Sequence, residues 1–236
     1  NMETQSNHNR LNESYSDFDM GHRFFGSVSY RKEWNNFLAS SISLFFNGQS
    51  GRRFSWVYTG DPISGNFASN GTDLMYVPTK QSDINLVDYR LSNGSTYTAA
   101  QQWADLDAYI NASDYLNSKR GQYVDRNGDR LPFQFTVDVR FAQEFFVRYN
   151  DEGKRKNSFE ITFDIFNVTN LLNNDWGVRY QTNFDQVSVL SASNPSNGSG
   201  KTEYRFNKPT GSLFTVDDNG VQSSRWQGQL GLRYNF

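Results

Sequence analysis

The amino-acid sequence predicts an all-β protein with five long antiparallel strands, each apolar on one face and polar on the other. Apolar and polar residues alternate with a period of two in five separate stretches, which is the pattern of a strand with two different faces. Aromatic residues make up 16% of the chain, and this composition favours strands. Because no apolar run approaches the roughly 18 residues that a spanning helix needs, a helical membrane protein is excluded.

The first two predicted strands form a hairpin. They cover about residues 22–34 and 38–58, with the short connection 35–37 between them. Even-numbered positions supply the apolar face of both strands, and Phe25 is the exception on the first. The apolar residues of this face are Phe24, Val28, Tyr30, Trp34, Leu38, Ile42, Leu44, Phe46, Phe54, Trp56 and Tyr58.

Two more strands are predicted at about 133–149 and 157–170, with a polar turn at 150–156. In both, odd-numbered positions are apolar and most even-numbered positions are polar or charged. The fifth strand covers about residues 224–236 and alternates in the opposite sense, since Leu230 and Leu232 are even-numbered.

Strand length favours a membrane-spanning sheet over a soluble sandwich. Sandwich strands tend to be about 5 or 6 residues long, whereas these stretches last roughly 10 residues or more, the length that crosses a bilayer at a tilt. The apolar faces are rich in Phe and end in Trp or Tyr, as expected of a lipid-facing band between two aromatic girdles.

The lengths of the connections orient the strands. Outer-membrane barrels have short periplasmic turns and long extracellular loops. Segments 59–131 and 171–223 are therefore predicted to be extracellular loops, and residues 1–21 the end of another. This orientation puts Phe236 at the periplasmic rim.

A short helix is predicted within the first long loop. Thr98 and Gln101 have the spacing of a capping box, in which each side chain bonds the backbone of the other residue. Trp103, Leu106 and Ile110 follow on one helical face, which predicts packing against the rest of the loop.

Several motifs carry a family resemblance. The stretch FDIFNVTNLLN resembles the penultimate strand of TonB-dependent outer-membrane transporters, and WQGQLGLRYNF resembles their final strand, whose last aromatic residue is an assembly signal. The segments NGQSGRRFSWVYTGD and TDLMYVP are similar to those of Oar-like and SusC-like members. The resemblance implies that residues 22–236 are the C-terminal part of a barrel of about 22 strands with a plugged lumen, and that the plug domain is absent from this chain.

The resemblance implies a function in active transport across the outer membrane of a Gram-negative bacterium. The expected partners are outer-membrane lipid, the rest of the barrel and its plug, the TonB complex acting through the N-terminal part, and a surface lipoprotein. The net charge of −2 gives no field that would recruit nucleic acid. Two other functions are compatible with the pattern: a porin or adhesin barrel that needs no energy input, and a soluble all-β binding module.

Placing the strands in a barrel wall assigns each side chain to one of two surfaces. Pairing with neighbouring side chains is the simplest role for each charged residue of the lumen. The residues predicted to face the lumen are Asp138, Arg140, Glu144, Arg148, Glu160, Asp164, Arg225 and Arg233. Those predicted to face lipid are Phe135, Val137, Val139, Phe141, Phe159, Ile161, Phe163, Ile165, Leu230 and Leu232. Glu160 is predicted to lie between Arg148 on one neighbouring strand and Arg233 on the other.

The sequence does not favour an enzyme, and no cofactor is expected. Cysteine is absent, and His8 and His22 are too few for a metal cluster or a convincing catalytic triad. Asp125, Asn127 and Asp129 have an alternating spacing that can bind calcium through oxygen ligands. A polar turn is favoured there, because the adjacent arginines oppose cation binding.

Overall fold

The computed structural model describes residues 13–60, 62, 73–148, 156–194, 200–218 and 224–236. Within them the protein is all-β, with sheets that are mainly antiparallel and few helices, so the predicted fold class is confirmed at that level. Residues 1–12, with His8, and residues 150–155 of the predicted turn lie outside the described part.

The elements are numbered in chain order. The strands are β1 (Arg23–Asn35), β2 (Leu38–Gln49), β3 (Arg53–Thr59), β4 (Tyr89–Arg90), β5 (Thr96–Tyr97), β6 (Asp129–Arg130), β7 (Gln134–Arg148), β8 (Lys156–Phe166), β9 (Tyr180–Gln181), β10 (Gln186–Ser193), β11 (Glu203–Phe206), β12 (Thr215–Val216) and β13 (Gln227–Asn235). The α-helices are α1 (Ala99–Asn111), α2 (Asp114–Ser118) and α3 (Val168–Leu172), and a 3-10 turn covers Gln81–Asp83. No helix of the described part is long and apolar enough to cross a membrane.

The chain divides into two compact units. The five-stranded unit comprises Met20–Gly51, Pro132–Tyr180 and Val216–Phe236. The four-stranded unit comprises Asn1–Asp19, Arg52–Leu131 and Gln181–Thr215.

The five-stranded unit contains one antiparallel sheet in the order β1-β2-β7-β8-β13. Its register brings residues of the same kind together across all five strands, as in the row Tyr30, Ile42, Phe141, Phe163 and Leu230. Because side chains alternate between faces along a strand, this register gives the whole sheet one apolar and one polar face.

The ten residues predicted to face lipid all lie on the apolar face. None of them is buried, and the side chain of Leu230 is 70% exposed. The strands of this unit are therefore held by backbone pairing and by contacts within the sheet, while their apolar face is open.

The predicted strand 38–58 is wrong in its second half. β2 ends at Gln49, and β3 begins at Arg53 in the other unit, where Phe54, Trp56 and Tyr58 are buried rather than on the apolar face of the long sheet. Residues 50–52 separate the two strands, and the polar, glycine-containing stretch NGQSG, which runs from the end of β2 into this connection, was the sequence signal for the break.

The predicted strand 157–170 is also too long. β8 ends at Phe166, Asn167 adopts a left-handed backbone conformation with φ of 54°, and α3 follows. Asn tolerates this conformation better than most residues, so it can turn the chain out of the sheet.

The predicted neighbours of Glu160 are half correct. Arg233 lies opposite Glu160 as predicted, but on β7 the opposite residue is Glu144 and not Arg148, which pairs with the position of Lys156. A register difference of four residues leaves every side chain on its predicted face, because the strand period is two.

The four-stranded unit has its own hydrophobic core. Its sheet has the order β11-β10-β3-β6, with β10 parallel to β3. Phe54, Val189 and Phe206 from this sheet are buried together with Leu106 and Ile110 of α1. Most of the two segments predicted to be long loops, 59–131 and 171–223, thus belongs to a packed unit.

Helix α1 begins with the predicted capping box. Thr98 Oγ1 accepts a hydrogen bond from the Gln101 backbone N–H, and Gln101 Oε1 accepts one from the Thr98 N–H. On the buried face, however, Gln102 rather than Trp103 is enclosed with Leu106 and Ile110.

Gln102 connects three backbone segments. Its Nε2 donates to the carbonyl oxygens of Val87, at 2.8 Å, and Tyr97, at 3.1 Å, and its Oε1 accepts from the Phe206 N–H at 3.0 Å. Burial of this amide is tolerated because all of these hydrogen bonds are made.

Replacing Gln102 by Leu should lower the opening free energy of α1 by about 1–3 kcal/mol, because it leaves buried backbone groups without partners. Native-state hydrogen exchange of the helix amides measures this free energy. The exposed substitution Ala104→Leu on the same helix is the control and should stay within about 0.5 kcal/mol. Equal effects of the two substitutions would contradict the assigned role of Gln102.

Candidate functional site

The polar face of the five-stranded sheet is the candidate functional site, and its two ends differ. We call the end where β1 connects to β2 through residues 36–37 the turn end, and the opposite end, with Arg23 and Gln134, the loop end. Seven of the residues predicted to face the lumen project from this face, namely Asp138, Arg140, Glu144, Arg148, Glu160, Asp164 and Arg233. Arg225 lies just before β13 and pairs with Asp218.

Toward the turn end, the polar face carries a network of ion pairs. Arg31 bonds both Glu33 and Glu144 at 2.7 Å, and Arg148 reaches Glu33 at 3.0 Å. Ala39 of β2 lies directly between Glu33 and Glu144, and its small side chain lets the charged groups meet above it.

A separate pair crosses from β7 to β8. Arg140 Nε lies 2.7 Å from Asp164 Oδ1, in a directly opposed pair of residues. The arginine side chains keep substantial contact with solvent, whereas the Asp164 and Glu144 carboxylates are largely enclosed. Because one partner of each pair stays solvated, the contribution to stability is small and the main effect is to fix side-chain positions on this face.

Toward the loop end, the polar face forms a cleft of about 650 Å³. Uncharged hydrogen-bonding side chains dominate its lining, with arginines at Arg23, Arg179 and Arg225 and one carboxylate at Asp138. The uncharged polar side chains from the strands are Asn47, Gln49, Gln134, Thr136, Gln227 and Gln229. Because Arg179 and Arg225 are paired with Asp217 and Asp218, this lining offers both donors and acceptors without a large net charge.

Exposed phenyl rings accompany these amides. Phe25, Phe45 and Phe166 lie on the polar face and are 80%, 46% and 42% exposed. Sequence reasoning identified only Phe25 as an exception to the alternation. The doublets Phe24–Phe25 and Phe45–Phe46 were the available signal, because two consecutive strand residues necessarily place one ring on each face.

Asn167 organises the cleft wall beyond β8. Its backbone N–H donates to Asp138 Oδ1 at 2.8 Å, so this predicted lumen-facing carboxylate has a structural partner. Its Nδ2 donates to the carbonyl oxygens of Gly177 and Ser224, each at 3.0 Å. Through its backbone and its side chain, the buried Asn167 thus joins β7, the loop after α3 and the approach to β13.

Ser224 extends this cluster to Arg179. Its Oγ accepts a hydrogen bond from the Arg179 backbone N–H and donates to the Asp217 carbonyl, both at 2.9 Å. The Arg179 guanidinium pairs with the Asp217 carboxylate, while its buried Nε has no hydrogen-bond partner among the described residues.

The suggested calcium ligands have separate partners in the four-stranded unit. Asp125 pairs with Lys119 at 2.6 Å, and the Asn127 amide donates to the Tyr15 carbonyl. Asp129 accepts from the Trp56 indole at 2.9 Å, and burial raises the pKa of its carboxyl group. Within the described ranges, no group of three or more His, Cys, Asp or Glu side chains could hold a metal ion.

Arginines in and next to the segment DRNGDR, residues 125–130, bind the chain segment 15–19. Arg53 and Arg130 contact the Asp19 carboxylate at 2.6 and 2.7 Å, and Arg126 contacts both Asp17 oxygens at 3.0 Å. The charged residues around DRNGDR therefore hold a neighbouring chain segment.

Comparison of the chain with models of protein families, with curated proteins and with solved structures found no match.

Replacing Gly177 by Ala should loosen the Asn167 cluster. Gly177 has a φ of +63°, and an added Cβ would lie 2.0 Å from Asn167 Oδ1. The local opening free energy should fall by at least about 1–2 kcal/mol, because the strained backbone and the added Cβ disfavour the closed cluster. Hydrogen exchange at the Asn167 and Arg179 backbone amides should then be roughly 5–30-fold faster. Gly26→Ala, which meets no atom within 4 Å, is the control. Unchanged exchange in the Gly177 variant would show that the cluster does not hold this wall together.

Proposed function

We propose that this chain forms part of the wall of a TonB-dependent outer-membrane transporter. The apolar face of the five-stranded sheet lies against lipid, and the polar face lines the solute path. The observation that carries the proposal is that five long strands, in a single register, present one exposed apolar face and one hydrogen-bonded polar face.

The extent of the apolar face argues for lipid as its environment. The strands are 13, 12, 15, 11 and 9 residues long. At about 3.4 Å per residue and with a tilt, such strands cover an apolar band of about 25 Å. Soluble monomers rarely expose contiguous apolar patches beyond a few hundred Å², so a soluble binding module is disfavoured.

Aromatic residues at the turn end support a membrane interface there. Trp34 and Tyr234 lie on the exposed apolar face, and the Tyr234 ring stacks on that of Phe236, with ring centroids 6.1 Å apart. Amphipathic rings of this kind form the girdles of transmembrane barrels.

The sheet edges support a larger barrel. Among the described strands, β1 and β13 each pair with one neighbour only. In lipid, an unpaired row of backbone groups costs several kcal/mol per group, so other strands must pair with both edges. We assign these strands to the rest of a barrel of about 22 strands that encloses a plug.

The loop-end cleft supports transport of a neutral polar solute. Its amides can hydrogen-bond hydroxyl or amide groups, and the exposed Phe166 ring in its lining offers a flat apolar surface for packing. Phe25 and Phe45 present further exposed rings on the same face of the sheet. An energised transporter is distinguished from a porin by adding a protonophore, which should abolish uptake of a labelled neutral oligosaccharide. Uptake that continues unchanged would favour the porin.

If Leu230 faces lipid, Leu230→Arg should make the free energy of folding into lipid vesicles less favourable by about 2–4 kcal/mol, because Leu230 belongs to the middle row of the apolar face. The measurement is the urea dependence of the vesicle-folded fraction. Gln229→Arg, on the neighbouring residue and the opposite face, should cost much less. Equal costs would refute the facing, and folding without detergent or lipid would refute the membrane proposal.

Phe45 and Phe46 provide a second test of the facing, because they are adjacent, similarly exposed and on opposite faces. The chain has no cysteine, so a substituted thiol is unique. In membranes, a water-soluble maleimide should label Phe45→Cys and leave Phe46→Cys unlabelled. After denaturation in detergent both variants should label equally, and the opposite pattern in membranes would contradict the proposal.

A further inference from the structure

The apolar face of the five-stranded sheet contains a polar island, which we define as Lys32, Trp34, Ser40 and Gln143. Lys32, Ser40 and Gln143 lie opposite one another on β1, β2 and β7. Ile161 and Leu232 continue the same row on β8 and β13. Apolar rows lie on both sides of it, so the polar island interrupts the apolar face close to its turn end.

Hydrogen bonds within the island satisfy its neutral polar groups. Trp34 Nε1 donates to Ser40 Oγ at 2.9 Å, and Ser40 Oγ donates to Gln143 Oε1 at 2.7 Å. Gln143 Nε2 donates to the Ala39 carbonyl oxygen at 2.8 Å. These groups therefore need no water, and the island can remain at the edge of a hydrocarbon layer.

The Lys32 ammonium is the one charge of the island. Its Nζ lies 4.3 Å from the centroid of the Trp34 ring, and no carboxylate of the described residues forms an ion pair with it. Its neighbour Arg31, on the polar face, is bound by two carboxylates. The Lys32 side chain thus lies along the apolar face and brings its charge to the aromatic residues at the turn end, as a lysine at a membrane interface does.

We propose that the polar island binds the phosphate group of a membrane phospholipid. The Lys32 ammonium is the counter-ion of the phosphate, and the Trp34 ring lies beside the part of the lipid next to the phosphate. This inference depends on the proposed function, which places this face in lipid. An ammonium close to hydrocarbon is costly without an anion, and phosphate is the anion that phospholipids supply at this depth. The proposed orientation puts the turn end on the periplasmic side, in the inner leaflet.

Lipid binding to the complete, detergent-purified transporter tests the proposal. The probes are dioleoylphosphatidylglycerol and dioleoylglycerol, which have the same acyl chains with and without a phosphate, and native mass spectrometry counts the bound lipids. We expect Lys32→Met to weaken retention of the phospholipid about tenfold, since a charge-assisted hydrogen bond is lost, and to leave dioleoylglycerol unaffected. Lys32→Arg should retain the phospholipid.

Arg233→Met is the matched control, because it removes a cation from the polar face of β13, the opposite edge strand. Equal phospholipid retention by the Lys32→Met variant and the unmodified protein would overturn the proposal, as would equal losses in the two Met variants. If Lys32→Met instead destabilised the protein equally with either lipid, a carboxylate from an adjoining strand would be the counter-ion of Lys32. That result would also overturn the proposal. Failure of the unmodified protein to enter membranes would refute the proposed function itself.

Discussion

The register of the five antiparallel strands is the constraint on which the other features depend. A slip of one residue in any strand would exchange its two faces and place charged groups such as Arg140 among apolar ones. Continuous backbone pairing from β1 to β13 instead aligns the alternation of each strand with that of its neighbours. The open apolar face, the ion pairs and the cleft are all consequences of this alignment.

Small and unusual residues adapt this regular sheet to its polar groups. Ala39 leaves room for charges from β1 and β7 to meet across β2, and Asn167 turns the chain out of β8 while its amide holds the cleft wall. The exposed rings of Phe45 and Phe166 depart from the alternation on the polar face, and Phe166 lines the cleft, where a purely polar surface would have satisfied the sheet equally well. Departures from a local rule that carry no evident structural benefit are typical of functional surfaces, which is why the proposed solute path runs there.

Sequence reasoning succeeded where a strict local period decides the outcome. The alternation located β1, β7, β8 and β13 to within a few residues and put all ten predicted lipid-facing residues on one face. It failed at 38–58, where an apolar period continues past the break at residues 50–52 into the buried strand β3. It also placed Trp103 rather than Gln102 on the buried face of α1, because the spacing of apolar residues along a helix cannot anticipate three backbone groups that satisfy a buried amide.

The sequence by itself determined the all-β class, the two faces of the long strands and the capped helix α1, because each depends on residues close together in the chain. The tertiary structure decided which strands pair, that Glu160 lies opposite Glu144, that the segments between the long strands form a packed unit of their own, and that the amides of the cleft converge. Those features depend on contacts between distant residues, and the period-two pattern is the same for every pairing that keeps the faces aligned.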